Sequence, residues 1–303
     1  MFTSNNSPHR IESFPALSLQ GDEENLTLRK TTSTRMSAKE TKAGKKYLML
    51  RLLKYVLLDI LKNRMVIFYA LFLFVISTGL FSISGDPTKG IASLLNVVLL
   101  VTPLLSIIFA TIYFYNSYEF IELLSSQPIQ RKTILYSQYA GLTISLLLSL
   151  ITGLGIPLLI FAPTHESLIL LLAACGLTMA FVSLALLSAL LTRDKARGIG
   201  LSILLWFYFT ILYDAFLLMI MFAFMDYPME TVTLVMVALN PIDLARVVVL
   251  MQLDISALMG YTGAMMQDIL GKSQGVFAAT LVMTLWIILP LTIAAGKFKR
   301  RDL

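Results

Sequence analysis

NSYEFIELLSSQPIQRKT, residues 116–133, interrupts two long apolar runs with two glutamates, a proline and a basic pair. Its neighbours decide the fold. Each is long enough to supply the ~20 apolar residues that a hydrocarbon core of about 30 Å demands at 1.5 Å per residue. Six stretches meet that length, at about 65–84, 91–115, 136–162, 167–191, 198–225 and 275–296. The composition agrees: 57% of the 303 residues are hydrophobic, 14% are charged, and the mean hydropathy is +0.79. An ordinary soluble domain carries about 25% charged residues, so this chain reads as an all-α integral membrane protein with six transmembrane helices.

The flanking charges take sides. Arg51, Lys54, Lys62 and Arg64 precede the first span, Arg131 and Lys132 the third, and Arg193, Lys195 and Arg197 the fifth, while Lys297, Lys299, Arg300 and Arg301 follow the sixth. With alternating spans these 13 fall on one side, against Lys89, Arg246 and Lys272 on the other. The positive-inside rule then puts both termini and the opening stretch in the cytoplasm of a cell whose inner membrane the chain crosses. The net charge of +6 is accordingly topological, and nucleic acid is not an expected partner. Residues 1–46, polar and rich in Ser and Thr with no apolar signal-peptide core, read as a disordered cytoplasmic tail ahead of a membrane domain over 47–303.

Within 116–133, Phe120, Ile121, Leu123 and Leu124 recur on one helical side, Glu119 and Glu122 sit three apart, and Pro128 stops the helix before Arg131. The pattern predicts a short two-faced helix along the inner membrane surface, either anchoring two spans or presenting its carboxylates to a partner.

Two connections on the other side, GDPTKG at 85–90 and APTHE at 162–166, are tight turns, but residues 226–274 form a long outer segment. Asn240 and Pro241 supply a helix cap and first-turn proline, and Asp243 adds a charge suited to the positive helix end. The continuation ARVVVLMQL is apolar but too short to span, which predicts a re-entrant or interfacial helix. Gly260 and Gly263 of GYTGA are expected to break it before a second short helix.

Asp214 is the one carboxylate well inside a span. At a helix centre it costs ~3 kcal/mol, which roughly six Leu, Ile or Phe residues offset. It either lines a path or switches partners, or it fastens neighbouring helices. Met219, Met221, Met225, Met229, Met236, Met251, Met259, Met265 and Met266 crowd the outer side, as soft ligands for Cu(I) or as gap-filling packing.

Catalysis finds little support. Gly271-Lys272-Ser273 ends like a phosphate-binding loop, but Met266 stands where its first glycine is needed. The two histidines, His9 and His165, fall in the tail and a turn, and the single Cys175 permits neither an intramolecular disulfide nor a cysteine metal cluster. No metal site, cofactor or catalytic residue is expected in this chain.

The stretch YNSYEFIELLSSQPIQRKTILYSQYAGL resembles the cytoplasmic coupling segment of ABC-2 type permeases, in which an acidic residue, a Leu-Leu pair, a Pro and an Arg precede the third span. NPIDLARVVVLMQLDISALMGYTGA is similar to the NosY subfamily of these permeases, associated with maturation of nitrous oxide reductase and its copper centres. The resemblance runs from about residue 47 to the basic C-terminus. It implies a six-span subunit that pairs with a second copy of itself in the lipid bilayer. A cytoplasmic, NosF-like ABC ATPase would bind the ATP, and a NosD-like periplasmic protein would sit above. By the matching positions Glu119, Glu122, Leu123, Leu124, Pro128 and Arg131 would make the ATPase-coupling contact. Residues 240–264, with Asn240, Asp243, Arg246, Asp254 and Tyr261, would make an outer partner platform. Sulfur-species export and a drive that makes the periplasmic partner hand over copper both fit this resemblance. Rival readings are an ABC-2 permease for a lipid, antibiotic or polysaccharide, a secondary transporter, for which only Asp214 speaks, and a membrane scaffold.

Overall fold

A computed structural model describes residues 59–60, 63–125, 130–224, 230–253 and 260–300, with backbone alone for 124–125, 230–231, 260–274 and 300. Among the described residues the spans are α1 (Arg64–Ser84), α2 (Pro87–Asn116), α4 (Arg131–Phe161), α5 (His165–Leu191) and α6 (Lys195–Ala223). A short α3 (Tyr118–Ser125) lies between α2 and α4; α7 (Glu230–Ala238) and α8 (Pro241–Leu250) precede α9 (Gly260–Arg300), whose portion Gly275–Lys299 is the sixth span.

Local chemistry explains the boundaries. Gly85 ends α1 at φ +62°, a conformation in which a Cβ is strained, and the next residue, Asp86, accepts the Thr88 N–H to start α2 with Pro87 in its first turn. Asn63 and Asp194 cap α1 and α6 in the same manner, accepting from the N–H groups of Met65 and Ala196. π turns at Ile151–Gly155 and Tyr208–Leu212 interrupt α4 and α6. At the first, a Cβ on Gly153 would lie 2.5 Å from the Ala70 carbonyl oxygen, so α1 and α4 approach there only because glycine has none.

The core is built around α5, which packs against α2, α4, α6, α8 and α9 and is buried on most sides, as its uniformly apolar sequence requires. By contrast α1, α6 and α9 carry exposed rows such as Phe68, Leu71, Phe216, Phe222, Phe277 and Leu285, which suit lipid.

One end of the bundle is stitched by polar contacts. Tyr113 on α2 donates to Asp59 (3.0 Å), Lys195 at the start of α6 donates to Asn116 (2.8 Å), and the Tyr115 hydroxyl meets Thr192 Oγ1 (2.6 Å). This is the end that carries Arg64, Arg131, Arg193 and Lys297, and it is termed the basic end below.

The segment between the fifth and sixth spans departs from expectation in one respect. Gly260 and Gly263 do not separate two short helices; α9 begins at Gly260 and runs unbroken into the last span. Glycine stops a helix when it adopts a positive φ, and otherwise costs only about 1 kcal/mol relative to alanine, which a long helix absorbs. The sharp bend falls between α7 and α8, whose axes turn through 111° at the Leu239–Asn240 junction, beside the stretch expected to be re-entrant or interfacial. Residues 1–46, expected as a tail, lie outside the described residues.

Candidate functional site

At the basic end α3 hangs directly from α2. Ser117 closes α2 by donating its N–H to Tyr113 O, and Ile121 N–H donates to Ser117 O (2.9 Å), so the chain turns with almost no slack. Ile121, 1% exposed, is the anchor, and Phe120 packs beside it against the core. Glu119, Glu122 and Leu123 are exposed, Leu123 by 67%. That corrects the sequence reading, which set Leu123 on the apolar side. At 100° per residue Leu123 stands 200° from Ile121 and only 40° from Glu119, so the outward face carries two carboxylates and one isobutyl group. Among the described residues no ion pair includes Glu119 or Glu122. Arg131 is half-buried at the start of α4; the Leu124 side chain and Pro128 lie outside the described residues.

Buried polar contacts join the helices at this end of the bundle. Thr111, Ser202 and Ser188 form a buried hydroxyl chain joining α2, α6 and α5 at 2.7 and 2.6 Å. Gly198 admits the Tyr115 ring over α6, where a Cβ would collide with the phenol.

A second polar cluster ties α6 to the bent α7–α8 pair. Asn240 Oδ1 accepts the Ile242 N–H (3.0 Å), capping α8, while its Nδ2 donates to the Phe209 carbonyl in the π turn of α6 (2.9 Å) and to Asp243 Oδ2 (2.8 Å). Arg246 donates to Asp214 Oδ2 from both Nη atoms (3.1 Å each) and to Asp243 Oδ1 (2.9 Å). Two carboxylates thus share one guanidinium. The Tyr213 hydroxyl donates to Met236 O (2.6 Å) and Trp286 Nε1 to Ala238 O (3.1 Å), so α6 and α9 both grip the end of α7.

The structure therefore brings Asp214 together with three residues that the sequence reading assigned to an outer platform. Asn240 and Asp243 are buried and spend their polar atoms inward, so neither presents a polar atom at the surface of the chain; Arg246 is turned toward the two carboxylates. Asp254 lies outside the described residues, and for Tyr261 only backbone is described. The sequence reading missed Tyr213, Trp286 and the Phe209 carbonyl. The spacing Asn240, Asp243, Arg246 did put three polar groups on one helical face, which was the available sign of an internal partner.

Beside this cluster of Asp214, Asn240, Asp243 and Arg246, termed the latch, an apolar cavity of about 340 Å³ separates α5, α8 and α9, with Cys175, Gly176, Met179, Leu244, Val248 and Met283 in its wall. Met221, Met236 and Met251 pack into the small core around Tyr213 and Leu217, a gap-filling use of thioethers. Met225, Met229 and Met259 lie outside the described residues, as do the side chains of Met265 and Met266. Gly271, Lys272 and Ser273 sit within helix α9, so the backbone there forms no phosphate-wrapping loop.

Residues 100–303, from the middle of α2 through α3 and the latch to the C-terminus, match the family model of the ABC-2 family transporter proteins. The chain belongs to the ABC-2 transporter family. A curated relative, the probable ABC transporter permease protein NosY of Pseudomonas aeruginosa, is 27% identical over 268 residues, covering 82% of this chain and 96% of the relative. This ABC-2 permease is accordingly a multi-pass membrane subunit of an ABC transporter.

Proposed function

We propose that this permease is the NosY-like subunit of a transporter serving maturation of the copper centres of nitrous oxide reductase, and that α3 is where it meets a cytoplasmic NosF-like ATPase. The observation that carries the coupling reading is the outward face of α3: Glu119, Glu122 and Leu123 stand exposed on a helix whose other side is fixed by Ile121. A partner driven by ATP shifts the permease only if it contacts that face differently in its two nucleotide states. Carboxylates beside an apolar side chain suit such a contact, since charge sets the docking register and the isobutyl group supplies burial. Leu124, Pro128 and Arg131 extend the same stretch toward α4.

The charge asymmetry supports an inner-membrane orientation with both termini cytoplasmic and α3 on the cytoplasmic side. A NosD-like periplasmic protein would then meet the α7–α9 end, with Asp254 and Tyr261 as its polar candidates. The latch of Asn240, Asp243, Arg246 and Asp214 would hold the α7–α8 bend to α6 and pass movement of the span to that partner. A second copy of the chain completes the transporter in this reading. Its work is sulfur-species export or a drive for periplasmic copper delivery. The apolar cavity beside Cys175 favours a second reading, export of a lipid-like cargo.

Two measurements test this. Co-expression with a NosF-like ABC ATPase should yield a stable complex from detergent. Deletion of the permease gene should leave nitrous oxide reductase without its copper-centre absorption while other exported cuproenzymes keep theirs. A complex without any effect on the reductase would support the second reading, and absence of a complex would remove the coupling assignment.

A further inference from the structure

Toward the basic end α5 and α9 are joined: the Ser183 hydroxyl reaches the Trp286 carbonyl (3.4 Å), an acceptor that Pro290, lacking an N–H, leaves free. Farther from that end they part around the cavity of about 340 Å³, which α8 closes with Leu244 and Val248. Small residues make the room. Ala173 and Gly176 on α5 and Ala279 on α9 stand in the wall, and a Cβ on Gly176 would come within 3.2 Å of Met283 Cγ. The two hydroxyls of the wall, Thr280 and Thr284, already donate to the carbonyls four residues back (2.8 Å each), and the Cys175 thiol is only a weak donor, so the space suits an apolar occupant.

Length, depth and access say which one. The wall runs from Ile169 to Met179 on α5 and from Val276 to Ile287 on α9, about 15 Å of helix at 1.5 Å per residue. It begins within about one turn of the span ends at His165 and Gly275. One leaflet of a hydrocarbon core of about 30 Å is about 15 Å deep, so the cavity has the length and depth of one chain of one leaflet. Access is sideways, because Leu172 in the wall is 60% exposed and Thr280 and Thr284 form an exposed edge of α9. On the other flank of that edge Phe277, Leu281, Leu285 and Ile288 line an open apolar trough of about 430 Å³. Left empty inside a bilayer, such a space forfeits dispersion contacts that a hydrocarbon chain restores.

We infer that the cavity holds one acyl chain of a membrane phospholipid from the leaflet opposite the basic end. The second chain of the same lipid lies in the trough, so the two straddle the Thr280–Thr284 edge of α9. The inner chain touches α5, α8 and α9 together and props the last span against the helix that the latch ties to α6. This binding is independent of whether the lipid is ever exported.

The test uses the full-length permease in nanodiscs of dioleoylphosphatidylcholine doped with a phosphatidylcholine that carries a diazirine at mid-chain. After irradiation, adducts mapped by peptide mass spectrometry should appear on Leu244 and Val248 of α8 at a level comparable with those on Ile211 and Leu212, exposed residues of α6, although Leu244 is only 2% exposed. Adducts on Ile211 and Leu212 with none on Leu244 and Val248 would overturn the inference. Ala173→Leu/Thr280→Leu, which fills the cavity from two walls, should abolish the α8 adducts and leave those on α6 unchanged. Persistent α8 adducts in that variant would equally reject the site.

Discussion

Replacing Arg246 by methionine should destabilise the permease far more than replacing Asp214 by asparagine, although both changes break the same ion pair. The difference follows from what each leaves behind. In Arg246→Met the Asp243 carboxylate, whose side chain is 6% exposed, loses the one cation paired with it among the described residues and keeps the Asn240 amide. Breaking a buried pair from one side costs about 3–5 kcal/mol, and the partial exposure of Arg246 itself, at 35%, argues for the lower figure of about 3 kcal/mol. In Asp214→Asn the guanidinium retains Asp243, and the lost pair joins side chains that are 35% and 31% exposed, so the change falls below about 1 kcal/mol. For a chain of this size 1 kcal/mol moves the unfolding midpoint by roughly 2–4 °C, which separates the variants by about 4–8 °C or more. The assay is thermal unfolding of the purified permease in one detergent, with Arg246→Met, Asp214→Asn, Asp243→Asn and the Arg246→Met/Asp243→Asn pair side by side. The double variant should recover most of the Arg246→Met loss, because the buried charge is gone. Equal losses for Arg246→Met and Asp214→Asn, or a double variant no better than Arg246→Met, would refute the claim that Asp243 is the carboxylate the guanidinium must neutralise.

Other outcomes follow from the same structure. Gly153→Ala should destabilise by about 1–3 kcal/mol, since its Cβ meets a backbone carbonyl on α1 that cannot rotate away; Gly79→Ala, with nothing within 4 Å, should be neutral or stabilising, as unfolding curves of the two will report. Ile121→Ala should cost about 2–4 kcal/mol and free α3 for rapid proteolysis, whereas Glu119→Ala/Glu122→Ala should change stability by no more than about 0.5 kcal/mol. Asn240→Ala should cost about 1–3 kcal/mol, because it removes a helix cap and strands the Phe209 carbonyl; hydrogen exchange at α8 should rise with it.

The six spans were legible because a membrane imposes a length on apolar sequence, a one-dimensional property. Gly85-Asp86-Pro87 and Asn240-Pro241 were equally legible, since caps and turns are decided by residues within three positions. What required the structure is tertiary. Asp214 and Arg246 stand 32 residues apart, and their pairing depends on the π turn of α6 and the 111° bend between α7 and α8, neither of which leaves a periodic trace. The continuity of α9 from Gly260 past Gly263 depends on the sign of φ, which glycine does not declare. Leu123 was misplaced because a short two-faced helix of eight residues leaves the angular centre of its apolar side to one residue, and that residue is Ile121.

The most direct test of the coupling role is ATP hydrolysis by the partner ATPase reconstituted with this permease in lipid, with and without Glu119→Ala/Glu122→Ala. The expected result is a correctly folded, fully inserted double variant that no longer binds or stimulates the ATPase. Stimulation equal to that by the unaltered permease would contradict the assignment of α3 as the docking helix.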